Sequence, residues 1–207
     1  FNGDGRADLL VSSSWGLGIL TQSGPTLTAL VARPKGTSFD GWLFNPDDNV
    51  FHGVGDLDGN GAEDILLSSP WGIGILKLQG STLGALVVKP RGTVFGGWTY
   101  RDDTVIQDLG DFDGDGCDDI LVSGPAGIGI LKRQGSTLTT LVARPRGTAL
   151  GTWRHDADDV FQGVGDFDRD GAADLLISDP TALGILKVQG STLTTVVSKA
   201  TGAWLGG

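Results

Sequence analysis

The sequence contains no methionine and one cysteine, Cys117, in 207 residues. One thiol cannot close an internal disulfide, so cysteine use says nothing for or against an oxidising compartment. Only two histidines, His52 and His155, are present, and they form no His/Cys cluster of the kind zinc requires. No apolar run approaches the roughly 18 residues that a membrane helix needs. No secretory leader is visible, although Phe1 opens in mid-motif and position 1 is not expected to be the encoded start. Positive charge is also scarce. Fifteen Lys and Arg against 25 Asp and Glu leave a formal charge of −10, which argues against a nucleic-acid backbone as the main partner.

Glycine is abundant instead, 35 residues in all, in a chain whose 39% apolar and 19% charged content is ordinary for a folded protein. Many tight turns between short elements follow. Asp8, Asp64, Asp119 and Asp174 mark a repeat of 56, 55 and 55 residues. The extra residue falls near Asn45-Pro46. The units run approximately 1–49, 50–104, 105–159 and 160–207, each starting near an acidic loop, with the first and last incomplete. After the loop come GIGILKRQ, GSTLTTLVARP, GTxxxGW and a short acidic turn, then VFQGVGD into the next loop. Trp42, Trp98 and Trp153 are equivalent, and are read as repeated packing residues.

The segments between glycines are rich in Val, Ile, Leu and Thr and show no 3.6-residue period. Residues 120–122, 128–131 and 138–142 are strand-length. Pro34, Pro90 and Pro145 close the third such segment in their units, where a central strand could not continue. The predicted fold is all-β: tandem units of about four short antiparallel strands, as in β-propeller blades, with an open stacked β-repeat array as the alternative. Gly207 aligns with Gly97 and Phe1 with Phe112. The counterpart of 98–111 is thus absent between end and start, and either the chain continues on both sides or neighbouring copies meet there.

The acidic loops carry the chemistry. Asp56, Asp58, Asn60, Ala62 and Asp64 form one set. Asp111, Asp113, Asp115, Cys117 and Asp119 form the next, and Asp166, Asp168, Asp170, Ala172 and Asp174 the last. Oxygen side chains at positions 1, 3, 5 and 9, with the position-7 carbonyl, suit a hard cation of the size of Ca²⁺. A fourth, partial loop offers Asn2, Asp4, the carbonyl of Arg6, and Asp8. Asp-Gly runs can be simple turns, but four acids within nine residues would repel one another without a counter-ion. Four Ca²⁺ would bring the formal charge from −10 to about −2. An EF-hand is excluded because position 12 is Leu67, Val122 or Ile177, inside a predicted strand, rather than a bidentate Glu. Strict octahedral geometry makes Mg²⁺ the poorer occupant.

GVGDLDGNGAEDILL, DLGDFDGDGCDDILV and GVGDFDRDGAADLLI resemble FG-GAP repeats of the VCBS type, with GTVFGGW where such a repeat places its Phe-Gly-Gly turn. The other units have SFDGW, ALGTW and AWLGG there. The resemblance covers essentially the whole chain. It implies a β-propeller similar to that of integrin α-subunits, one four-stranded blade per repeat, calcium in a hairpin loop, and an extracellular or cell-surface setting. Such propellers usually close with seven blades, against four units here.

Function is therefore read as a calcium-stabilised structural or adhesive protein, with further repeats or copies of itself as partners and self-assembly into a filament as one form. The alternative is a lectin-like module binding a glycan or a surface protein, for which Trp15 and Trp71 are the aromatic candidates; Ala126 and Thr181 stand at their positions in the other units. An enzyme is not expected. His52 matches Gln107 and Gln162, His155 lies in an acidic turn, and neither sits in a nucleophile motif. Arg33, Lys89 and Arg144, each before a proline, are expected to balance acidic charge between neighbouring units.

Overall fold

Glycine- and proline-punctuated β-branched segments too short for helices become strands, and in the described residues they become nothing else. A computed structural model describes residues 1–200; the AWLGG segment and the Gly207 alignment lie outside them. Seven small antiparallel sheets result, and none closes into a barrel. The chain divides into two compact units, Phe1–Thr93 with Gln134–Thr137, and Val94–Arg133 with the described residues from Leu138 onward.

The first unit opens with a three-stranded sheet of β1 (Leu9–Ser13), β2 (Gly16–Ser23) and β3 (Thr26–Pro34). A two-residue hairpin follows, β4 (Ser38–Phe39) with β5 (Trp42–Leu43). A four-stranded meander then runs through β6 (Val50–Gly55), β7 (Asp64–Ser69), β8 (Gly72–Gln79) and β9 (Thr82–Pro90). Central strand β7 is buried along its whole length, as expected of a strand covered on both faces. Leu17, Ile19, Trp42, Phe44, Ile65 and Leu67 belong to its core.

The second unit repeats the plan. Hairpin β10 (Val94–Phe95) and β11 (Trp98–Thr99) precedes the meander β12 (Val105–Gly110), β13 (Asp119–Gly124), β14 (Gly127–Gln134) and β15 (Thr137–Pro145). Hairpin β16 (Ala149–Leu150) and β17 (Trp153–Arg154) precedes β18 (Val160–Gly165), β19 (Asp174–Ser178), β20 (Ala182–Gln189) and β21 (Thr192–Ala200). Here strands β12 and β18 lie side by side, and Phe112, Leu121, Ile130, Trp153, Leu175 and Ile177 share one core.

Each of the first three repeats thus holds a meander plus a hairpin that the sequence reading took for a turn. Two-residue strands are too short to show a period. The hairpins serve packing: β4 lies on β9, and β16 and β17 lie on β21. The hydroxyl of Thr195 accepts from the Thr152 and Trp153 amides at 3.0 Å and donates to the Leu150 carbonyl at 2.6 Å. Thr140 makes the equivalent contacts with Gly97 and Phe95. The three hairpin tryptophans are buried.

The charge-balancing expectation is corrected for Arg33 and Arg144. Arg33 donates to the Ser81 carbonyl and Arg144 to the Ser191 carbonyl, both at 2.9 Å. They tie one sheet to the turn of the next through neutral oxygens.

Candidate metal centre

Each complete acidic loop joins the first two strands of its meander, so the strand ladder holds both of its ends. Gly55 pairs with Asp64, Gly110 with Asp119 and Gly165 with Asp174. The position-9 aspartate therefore starts a central strand, and its side chain is carried inward.

Between these ends the loops share one hydrogen-bond scheme. The position-1 carboxylate accepts from the amides of positions 5 and 6: Asp56 from Asn60 and Gly61 at 3.0 and 2.7 Å, Asp111 from Asp115 and Gly116 at 3.0 and 2.8 Å, Asp166 from Asp170 and Gly171 at 3.2 and 3.1 Å. Position 5 accepts from the amide of position 7. Asp4 accepts from Arg6, Asn60 from Ala62, Asp115 from Cys117 and Asp170 from Ala172, all at 2.8–3.0 Å. These bonds curl the backbone and turn the carboxylates to one side.

Oxygens of Asp56, Asp58 and Asp64 converge within 4.8 Å of one another, as do those of Asp166, Asp168 and Asp174. In the remaining complete loop the converging set is Asp111, Asp113 and Asp115. Asp119 accepts from the Phe112 amide at 3.1 Å, as Asp174 does from the Phe167 amide at 2.9 Å. The partial loop has Asp4 and Asp8 as its carboxylates, and Asp8 accepts from the Phe1 ammonium at 3.1 Å.

Asp64, Asp119 and Asp174 are essentially inaccessible to solvent. One oxygen of each, together with one of Asp8 and one of Asp58, is buried without a hydrogen-bond partner. A buried, unsatisfied carboxylate oxygen is costly. Burial, then the charges of Asp58 and Asp56, push Asp64 up to about 7. Burial and the Asp113 charge push Asp119 up to about 8, and burial raises Asp174 too. Asp8 moves the other way. Burial alone would raise it, but hydrogen bonds from Thr21 and the Phe1 ammonium outweigh that.

A lysine that the sequence reading passed over completes each full loop. Lys77 donates to Asp58 at 2.7 Å, Lys132 to Asp113 and, at 2.6 Å, to Asp115, and Lys187 to Asp168 and Asp170 at 2.6 and 2.9 Å. Hydrogen bonds with Asp168 and Asp170 hold the Lys187 ammonium above its ordinary pKa. The available signal was the repeat itself: Lys77, Lys132 and Lys187 are equivalent in GILK, and Thr21 stands there in the partial loop.

Neither histidine lies in these loops. His52 Nε2 meets the Ser68 hydroxyl at 2.7 Å, just as Gln107 meets Ser123 at 2.7 Å and Gln162 meets Ser178 at 2.8 Å. His155 is buried, with Nδ1 2.6 Å from Asp159.

No protein-family model and no curated protein matches the chain. Among the solved structures similar to it are two that share its fold over nearly the whole chain. One is an Agrocybe aegerita lectin, described for specific recognition of non-reducing terminal N-acetylglucosamine, with a TM-score of 0.60 and 21% identity over 95% of this chain. The chain spans about half of that lectin, 49% of its length. The other is the Photorhabdus luminescens Tc holotoxin pore, with a TM-score of 0.53 and 17% identity, covering 96% of this chain and 9% of that one. At these identities the likeness is one of fold.

Proposed function

We propose that the chain is a calcium-fastened, propeller-type β-repeat module that works outside the cell as a structural or adhesive element, alone or in arrays of such repeats. The observation that carries this reading is the orphaned carboxylate oxygen at position 9 of each complete loop, buried beside acids that curl to one side. A divalent hard cation satisfies such oxygens and offsets the burial and the neighbouring negative charge that raise Asp64 and Asp119. In this reading Asp56, Asp58, Asn60 and Asp64 hold the ion with the Ala62 carbonyl, and the equivalent residues do so in the other two complete loops. The ion supplies charge neutralisation and a cross-link between the ends of two strands. Its binding free energy adds to folding free energy. Millimolar extracellular calcium suits sites of this kind. Calcium titration followed by calorimetry, paired with melting in excess EDTA, tests it. Saturable binding with a large rise in Tm is expected, and equal melting curves in calcium and in fully metal-stripped samples would refute it.

A second reading, a glycan-binding module, is favoured by the fold shared with the lectin and by Trp15 and Trp71, which expose 58% and 39% of their surface. A glycan array probed in calcium buffer, with Trp15→Ala and Trp71→Ala as controls, decides it. Binding lost in these variants supports a lectin, and silence across the array removes it.

A further inference from the structure

In the first unit the indoles of Trp42 and Trp71 pack with ring centroids 4.7 Å apart and planes tilted by 42°. The equivalent pair in the second unit is Trp98 and Ala126, one repeat further on. Replacing an indole by a methyl group removes a whole ring system from the neighbourhood of Trp98. A cavity of about 410 Å³ lies there, lined by Trp98, Thr99, Arg101, Ala126, Arg144 and Pro145 among others. That is within the size range of small-molecule sites.

Two further features distinguish this place from its repeats. The indole N–H of Trp98 is buried and has no partner. The Trp42 indole instead donates to Asn49 at 3.2 Å and that of Trp153 to Asp159 at 3.3 Å; Thr104 occupies their position. The lining is also cationic, with Arg101 and Arg144 and no carboxylate. Arg144 is fixed in place by bonds to the Ala143 and Ser191 carbonyls. In the last repeat Thr181, Asp156 and Lys199 stand where Ala126, Arg101 and Arg144 stand here, so the combination occurs once among the described residues.

We infer that the cavity between Trp98 and Ala126 is a binding site for a planar aromatic carboxylate of about indole size. The ring takes the place that the Trp71 side chain fills in the first unit, packed against the Trp98 indole. The carboxylate lies toward the arginine-lined wall, with Arg101 as its charge partner. The site is separate from the acidic loops and does not depend on the metal reading.

Indole-3-carboxylate is the probe, titrated into the full chain in calcium buffer by calorimetry and by NMR of the ¹⁵N-labelled tryptophan side chains, with Trp98 assigned through Trp98→Phe. The expected result is saturable binding with a shift of the Trp98 indole N–H. Ala126→Trp, which refills the space, should abolish binding while keeping the fold by circular dichroism. Arg101→Gln should weaken the carboxylate by about tenfold, the loss of one charge-assisted hydrogen bond, and leave binding of neutral indole unchanged. Absence of binding at millimolar probe, or binding that leaves Trp98 unshifted in the wild-type protein, overturns the proposal. The wild-type shift decides the matter even if Ala126→Trp fails to fold.

Discussion

Trp42 and Gly74 are in contact so close that no side chain can intervene: a Cβ on Gly74 would stand 2.5 Å from Cε3 of the indole. The second unit repeats the relationship: a Cβ on Gly129 would stand 2.8 Å from the Trp98 ring, and one on Gly184 2.7 Å from that of Trp153. This is why the third strand of each four-stranded meander has glycine as its third residue, Gly74 in β8, Gly129 in β14 and Gly184 in β20: that glycine is a seat for the hairpin tryptophan.

Gly184→Ala should therefore destabilise the protein by about 1–3 kcal/mol, the usual cost of overpacking a rigid contact. Urea unfolding at fixed calcium measures it. An unchanged midpoint would mean the indole can move aside.

Asp113→Ala removes one carboxylate from one loop. Calorimetric stoichiometry should fall by one calcium, with the remaining sites unchanged in affinity. A loss of all sites together would show that the loops are coupled rather than independent.

The lysines compete with a cation for the same oxygens. Lys132→Ala should tighten calcium at its loop by about tenfold, or about 1.4 kcal/mol, a value kept small because the ammonium is partly solvated and screened. The same change should destabilise the metal-free protein. Tighter binding would appear as a lower half-saturation point for one site, and weaker binding would show that the ammonium orders the loop for the ion.

The pH dependence has a definite sign. Asp64 and Asp119 have folded-state values of about 7 and about 8 against an ordinary 3.8. The folded, metal-free protein thus binds more protons than the unfolded chain between about pH 4 and pH 8. Its stability is highest below that window and falls as pH rises through it. Calcium needs the ionised carboxylates, so calcium affinity should rise over the same window. Melting in EDTA and in calcium from pH 4 to 8 should give opposite slopes, and parallel slopes would contradict the account.

Arg169 has φ of +64°, where Gly59 and Gly114 have +74° and +72° at the same loop position. A residue with a Cβ is strained there. Arg169→Gly should stabilise the protein by about 0.5–1 kcal/mol, measured as a higher denaturation midpoint, the relieved strain exceeding the entropy glycine adds to the unfolded chain.

The 55-residue period, the longer strands, the prolines that end β3, β9 and β15, and the acids at loop positions 1, 3, 5 and 9 could all be read from the amino-acid order. Each is a local property: β-branched residues favour extended backbone, proline cannot extend a ladder, and alternate acids on a curling loop face one way. Tertiary structure decided the rest. It brought Lys132 onto Asp113, 19 residues away across a hairpin, and buried the far oxygens of Asp64, Asp119 and Asp174. It also seated Trp42 on Gly74 and left a cavity where Ala126 replaces a tryptophan. These depend on which strands lie against one another, and distance in space between such residues bears no relation to their distance along the chain.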